Sequence, residues 1–466
     1  MRAKEHAMAF TRRQFLWGSG LAATGLGLGR KSWAGAATAA PTAAPTAAKA
    51  TAAAAESAPA LRPDDWASVR AQFNLAPGYA HLSSFFIVSH PAPVRVAIEK
   101  HRRALDENPF LYLESHMFEQ EGDMLWRPVT AAAAAYIGGA PAEVALTCNT
   151  TMGLALLYNG LRLRPGQEIL TTSHDHYSHH ESIRLAAEKW GGTVRKVSLY
   201  DTGPTASAGE IVSRLAAAIT PGVRIVGVTW VHSSTGVRLP IRKIADAIAA
   251  INRGRPDADR ILLIVDGVHG FGAVDEPVAS LGCDFFVSGT HKWIFAPRGT
   301  GLVWARAANW ALVTPTIPTF TGMESYLAWQ DGRRPSGPTQ ADQVSPGGFF
   351  AFEHQWATVE AFRFHERIGR ARVAERIATL NGRIKEGLAA MPHVTLHTPR
   401  DPALSAGINA FEVRSRSPQD VVRRLLDRRV IASNSPYKPT FPRLAAGIMN
   451  TPEEVDAALA AVRALA

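Results

Sequence analysis

The sequence predicts an α/β protein: a mainly parallel sheet covered by helices on both faces, with a smaller α+β region at its C-terminal end. Three observations lead there. From about residue 91 to residue 325, short apolar runs alternate with amphipathic helical stretches. Polar residues of unusual chemistry gather at the C-terminal ends of those runs, where open α/β sheets bind their ligands. After about residue 325 the texture changes to a long helical stretch, two short strands and two more helices.

The chain of 466 residues is too long for one ordinary core and suggests a large and a small domain. Its first part reads as an address. "TRRQFLWGSGLAATGLGLG" pairs Arg12 and Arg13 with Phe15-Leu16 and a short, Gly-rich apolar run. This is the pattern of a twin-arginine export signal, with a small-residue cleavage site at Ala34–Ala36. The run is too short and glycine-rich for a membrane span. Residues 1–36 are therefore expected to be a signal peptide read by the twin-arginine machinery, and the mature protein to be periplasmic. The Ala/Thr/Pro stretch 37–60 reads as a disordered linker.

The formal charge of +10 loses much of its meaning once placed on the chain. Six basic residues against one acidic one precede residue 36, and the rest are scattered. A nucleic-acid-binding surface is not expected. Cys148 and Cys283 are the two cysteines; both lie in apolar, strand-like surroundings and read as buried free thiols.

The remaining elements follow in order. Residues 61–90 form an N-terminal segment expected to pack on the small domain. "PAPVRVAIEKHRRAL" has helical spacing and opens the large domain, 91–325. "AEVALTCN" is a strand entering the helix "TMGLALLYNGL"; "QEILTTS", "TVRKVSL", "VRIVGVTWV", "RILLIVDGV", "CDFFVSGT" and "GLVWA" are further strands with helices between them. The small domain, 326–466, opens with a helix through 352–390, then strands "VTLHTP" and "INAFEV" and helices at 417–428 and 452–465.

Five strand ends carry the chemistry: Asn149-Thr150-Thr151, His174 to His180, His232 to Gly236, Asp266 to His269, and Ser288 to Lys292. Lys292 follows His291 just past an apolar strand and precedes Trp293, Ile294 and Phe295. An isolated strand-end lysine usually snorkels to solvent, but apolar neighbours would desolvate its amine, lower its pKa and fit it for Schiff-base chemistry. Pyridoxal phosphate at such a lysine needs a carboxylate for its ring nitrogen, an anion cradle and a flat group over the ring. Asp266 ends a strand 26 residues earlier, and Asn149, Thr150 and Thr151 stand where a strand enters a helix. Taken singly, these are also an ordinary turn aspartate and an ordinary threonine cap.

Together they form a pattern. "NPF" from Asn108, "CNTT", "HSSTGVRLP" from His232, "VDGVHGFG" from Val265, "THKWIFAPRGTG" from Thr290 and "FPRLAAGIMNTPEEVD" from Phe441 occur in one order across residues 65–466. In that order they resemble the class V aminotransferase family of fold-type I pyridoxal 5′-phosphate enzymes, and within it the isopenicillin N epimerase-like branch. The resemblance implies a seven-stranded, mainly parallel sheet in the large domain. Lys292 would carry the cofactor and shuttle the α-proton, and Asp266 would pair with the pyridine nitrogen. His269 and Ser233 would lie near its phenolate side. Thr150, Thr151, His291 and Ser288 would bind phosphate, and Arg443 would fork onto the substrate carboxylate. His176 follows Asp175 in the strand-end loop and would stack on the ring. A homodimer with shared active sites is implied as well.

Three departures stand out, one being "SPGGFFAFEH", where Gly347-Gly348 is a shifted match to the Gly-Thr that relatives show for the partner's phosphate. Ser288 is four residues from Lys292, which leaves Gly289 at the usual phosphate-serine position, and histidine replaces the branch's frequent tyrosine at the stacking position. No cysteine follows Cys283, which argues against a persulfide-forming desulfurase. Transamination, epimerisation, C–S or C–C lysis and decarboxylation remain open. The expected substrate is an amino acid, or an amino-acid group of a peptide or secreted metabolite such as a siderophore precursor. A rival reading makes His174, Asp175, His176 and His179 the ligands of a periplasmic metallohydrolase. A non-catalytic cofactor-binding protein is another.

Overall fold

The computed structural model describes residues 59–118 and 123–466. The segment expected to be an export signal and most of the Ala/Thr/Pro stretch lie outside them. Thirteen strands occur among the described residues, numbered in chain order: β1 (Ala80–His81), β2 (Val144–Thr147), β3 (Glu168–Thr172), β4 (Thr193–Val197), β5 (Val223–Thr229), β6 (Leu262–Asp266), β7 (Phe285–Gly289), β8 (Gly301–Ala305), β9 (Val394–Leu396), β10 (Asn409–Val413), β11 (Val430–Ile431), β12 (Ser433–Asn434) and β13 (Pro442–Leu444).

Seven of them build the large sheet in the order β2-β8-β7-β6-β5-β3-β4. Strands β3 to β7 pair in parallel, while β8 runs antiparallel to both β2 and β7. The physical cause is legible in composition. "LLIVD" and "FFVSG" are buried at every position, as strands covered on both faces must be. One core lies on one face around Trp230, Leu263 and Phe286, and a second on the other around Leu154, Ile264 and Phe285. Consecutive residues of β6 and β7 thus point into different cores, and each large side chain removes apolar surface worth about 2 kcal/mol.

A second sheet, β12-β13-β10-β9, is antiparallel and carries the helices Arg370–Ala389, Pro418–Asp427 and Pro452–Arg463. The N-terminal segment reaches it: β1 pairs in parallel with β11, and Ala80 and Leu82 join the core of Leu380, Ile384, Phe411 and Leu459. No helix among the described residues is long and apolar enough to cross a membrane.

The helix expected through 352–390 is two helices, Phe352–Ile368 and Arg370–Ala389. Gly369 separates them with φ 92°, a conformation a side-chain-bearing residue rarely adopts. Apolar periodicity continues across the break and hides it. Cys283 is buried as expected, whereas Cys148 is half-buried beside the start of the helix Thr150–Gly160.

Candidate active site

The ends of β2, β3, β5, β6 and β7 bring their polar residues to one cleft against the small sheet. Parallel strands cause this. Their C-terminal ends lie on one edge, so residues as distant as Thr150 and Gly289, 139 positions apart, meet there.

Lys292 stands just beyond β7, in a turn closed by the Phe295 N–H donating to the Lys292 carbonyl (3.0 Å). Its amine is 3.3 Å from Nε2 of His269 and keeps some surface open to the cleft. Burial pushes the amine below the ordinary lysine value; Asp266 opposes the shift and Arg443 adds to it. Asp266, at the end of β6, is 2% exposed and accepts from the Val268 N–H (3.1 Å). Its carboxyl is pushed up by burial, against the Val268 hydrogen bond and the Lys292 charge. A buried carboxylate without a full ion pair is costly alone and gains from a cationic partner.

The anion end is built at the start of the helix Thr150–Gly160. Asn149 caps it by accepting from Met152 N–H (2.9 Å), which leaves the N–H groups of Thr150 and Thr151 at the helix mouth. Oγ1 of Thr150 accepts from Gly289 N–H (2.7 Å), so its own proton is free to donate. A Cβ on Gly289 would lie 2.7 Å from the His291 ring and 3.1 Å from Thr150 Oγ1. Glycine at this position therefore keeps the space between them open. Ser288 is fully buried in β7, its hydroxyl donating to the Gly289 carbonyl (2.8 Å). Thr151 is exposed at the helix start.

His176 caps the helix Tyr177–Trp190. Its Nδ1 accepts from Ser178 N–H (3.2 Å), which fixes the ring, and burial followed by the charges of Lys292 and Arg443 lowers its pKa. The ring is neutral and flat, as a stacking group over a cationic heterocycle should be. The other histidines of the run disperse. His174 stacks on Tyr200, His179 bonds Tyr158 (2.7 Å) and His180 bonds the Thr172 carbonyl (2.8 Å). No group of three His, Cys, Asp or Glu among the described residues is placed to hold a metal ion. Asp175 is a structural anchor: it accepts from Thr171, Thr172 and Thr229 and so ties β3 to β5. Burial opposes its ionisation, but His179, His232 and the threonine hydrogen bonds outweigh that and hold the carboxyl at about 2.

Arg443 comes from β13. It is 4% exposed, donates to the carbonyls of Ser233 (2.6 Å) and Asn434 (2.9 Å) and to Ser433 Oγ (3.1 Å), and lies over the Phe85 ring at 4.3 Å. Its Nε is buried without a partner, and it forms no ion pair among the described residues. Burial lowers it to about 10. Such a guanidinium is prepared for a carboxylate ligand. The sequence reading missed Tyr437, whose hydroxyl is 2.6 Å from Ser233 Oγ and whose ring meets His176 edge-on at 6.1 Å. The one local signal that could have pointed to it is the proline-rich "SPYKPTFP", which marks a constrained turn without showing what the turn presents.

These residues fit pyridoxal phosphate. The amine, the buried carboxylate and the anion cradle share one cleft, and Nδ1 of both His269 and His291 is buried without a partner.

Comparisons with known proteins agree. The family described as Aminotransferase class-V matches residues 113–438. The chain is 27% identical over 413 residues to an isopenicillin N epimerase of Streptomyces clavuligerus, covering 86% of this chain and 98% of that one. It is 26% identical over 270 residues to a probable cysteine desulfurase of Xylella fastidiosa, covering 56% of this chain and 61% of that one. In fold it is similar to a solved C-DES chain with glycine covalently linked to its PLP cofactor. There the TM-score is 0.73 at 21% identity, covering 84% of this chain and 98% of that one. The chain belongs to the class V aminotransferase family, whose enzymes depend on pyridoxal 5′-phosphate.

Proposed function

We propose that the protein is an exported pyridoxal-phosphate enzyme that acts at the α-carbon of a carboxylate-bearing amino acid or amino-acid group, with epimerase- or aminotransferase-like chemistry. The observation that carries this reading is the convergence of a buried, depressed-pKa Lys292, a buried Asp266 and an acid-free buried Arg443 on one cleft. The cofactor, when bound, supplies an electron sink for charge developing at the α-carbon.

Each residue has a task in this reading. Lys292 would hold the cofactor, and its amine would take and return the proton at the α-carbon; burial brings its pKa down to about 8, closer to neutral pH than an ordinary lysine. Asp266 holds a proton on the pyridine nitrogen through charge in a low-dielectric site. Thr150, Thr151 and His291 hold phosphate, with Ser288 supporting the strand behind them. His176 would cover one face of the cofactor ring, and His269 and Ser233 would lie toward its phenolate side. Arg443 orients the substrate by its carboxylate and so selects which bond at the α-carbon faces the ring.

The twin-arginine pattern motivates the periplasmic placement, where a peptide or secreted metabolite such as a siderophore precursor would be met; the similarity to the Streptomyces epimerase supports only the chemistry at an amino-acid α-carbon. Exposed Phe86, Phe110, Leu111 and Phe349 support a homodimer whose partner covers them. A C–S lyase is the second reading, favoured by similarity to the probable desulfurase.

Purified mature protein should show a visible chromophore that borohydride fixes to Lys292 and that Lys292→Ala lacks. A colourless protein that stays colourless with added pyridoxal phosphate overturns the reading. Exchange of the α-hydrogen with solvent deuterium without sulfide release separates epimerase-like chemistry from C–S lysis.

A further inference from the structure

Arg443 and Tyr437 both come from the small sheet and its turn, and both close on Ser233 of the β5 end: Arg443 on its carbonyl, Tyr437 on its hydroxyl. The turn between β12 and β13 that carries Tyr437 is braced at its base. Ser435 N–H donates to the Phe441 carbonyl (2.8 Å), Phe441 N–H to Ser435 Oγ (2.9 Å), and Thr440 Oγ1 to the Tyr437 carbonyl (2.6 Å). The phenol is thus a fixed group, not a mobile loop tip. It faces His176 and lies within electrostatic reach of Arg443.

We propose that Tyr437, oriented by Ser233, is a carboxylate-recognising specificity residue of this site; the proposal rests on the amino-acid reading above. When Ser233 donates its hydroxyl proton to the phenol oxygen, the Tyr437 proton is free to point into the cleft toward a carboxylate held by Arg443. Burial pushes the phenol up to about 12, so at neutral pH it is a donor and does not repel an anion. A guanidinium alone supplies charge and a plane; a second, neutral donor at an angle to that plane discriminates a carboxylate from an amide. The amide would turn an N–H toward one of the two donors and leave a buried hydrogen bond unmade.

The test titrates the holoenzyme, as wild type, Tyr437→Phe and Ser233→Ala, with L- and D-alanine, glutamate and cysteine and with their α-amides, following the visible absorbance of the cofactor. The cofactor-free proteins are titrated calorimetrically with propionate in parallel. Wild type should prefer acids to amides. Tyr437→Phe should weaken acids and propionate about tenfold while leaving amides unchanged, so that the acid-to-amide ratio falls by the same factor. Ser233→Ala should lower that ratio less. If Tyr437→Phe does not yield folded protein, the Ser233→Ala ratio decides, and an unchanged value there counts against the proposal.

An unchanged ratio in Tyr437→Phe beside a discriminating wild type overturns the proposal and leaves the amino-acid reading intact. Equal losses for acids and amides make the Ser233–Tyr437 bond a structural clasp only, and also overturn it. A wild type that ignores the carboxylate overturns both.

Discussion

At the scale of single residues, what separates a functional group from an anchor here is whether its polar atoms are already spent. Thr150 and Ser288 both bond the Gly289 backbone, yet Thr150 uses only its acceptor there and Ser288 uses its proton. Thr150→Ala should therefore weaken pyridoxal phosphate by about tenfold in a cofactor-binding titration, and Ser288→Ala by less than about twofold. Asp175 is the opposite case: both oxygens are taken by Thr171, Thr172 and Thr229. Asp175→Ala strands these buried donors and should cost about 3 kcal/mol in a denaturant titration. The most histidine-rich stretch of the sequence owes its character largely to packing. His174 packs on Tyr200, His179 bonds Tyr158 of the helix Thr150–Gly160 and His180 bonds the end of β3, while His176 faces the cleft.

At the scale of elements, the strand ends must turn abruptly to present their residues, and small side chains allow it. Gly267 follows Asp266 directly; a Cβ there would sit 2.0 Å from the Phe286 ring. Gly267→Ala should displace the Asp266 carboxylate or the β7 core and lower the thermal midpoint sharply, with cofactor binding lost alongside. Gly382 offers the contrast. It lies inside the helix Arg370–Ala389 with ordinary backbone geometry and nothing within 4 Å of an added Cβ. Gly382→Ala should stabilise the protein by about 0.5–1 kcal/mol, read from the same melting curves. Most elements were legible because burial on both faces demands unbroken apolar runs, as in "LLIVD". Gly369 was not, because a one-residue change of backbone hand leaves the apolar spacing of 352–390 almost undisturbed.

At the scale of the whole molecule, the fold buries several neutral imidazoles. His179 and His365 are held at about 4 and His232 at about 3, each by desolvation first, below the 6.5 of an exposed histidine. The unfolded chain therefore binds more protons than the folded one from pH 6.5 downward, and stability falls over the interval from 6.5 to the folded values. At pH 5 the loss is about 2 kcal/mol for each of these three rings. The thermal midpoint should drop steeply between pH 6.5 and 4.5, and a flat profile there would contradict the buried-neutral assignment.

The sequence by itself determined the α/β class, the strand order along the chain, and Lys292, Asp266 and Arg443 as the residues to watch. Lys292 and Asp266 depend on local composition, apolar runs with polar ends, whereas Arg443 came only from the resemblance of ordered motifs to the class V family. Only the tertiary structure decided which polar atoms remain available. Ser288 spends its hydroxyl on the backbone, the histidine run scatters, and Tyr437 swings in from a turn 204 residues beyond Ser233 to share its hydroxyl. Direction and partnership of a side chain are set by contacts between distant segments, and no local pattern encodes them.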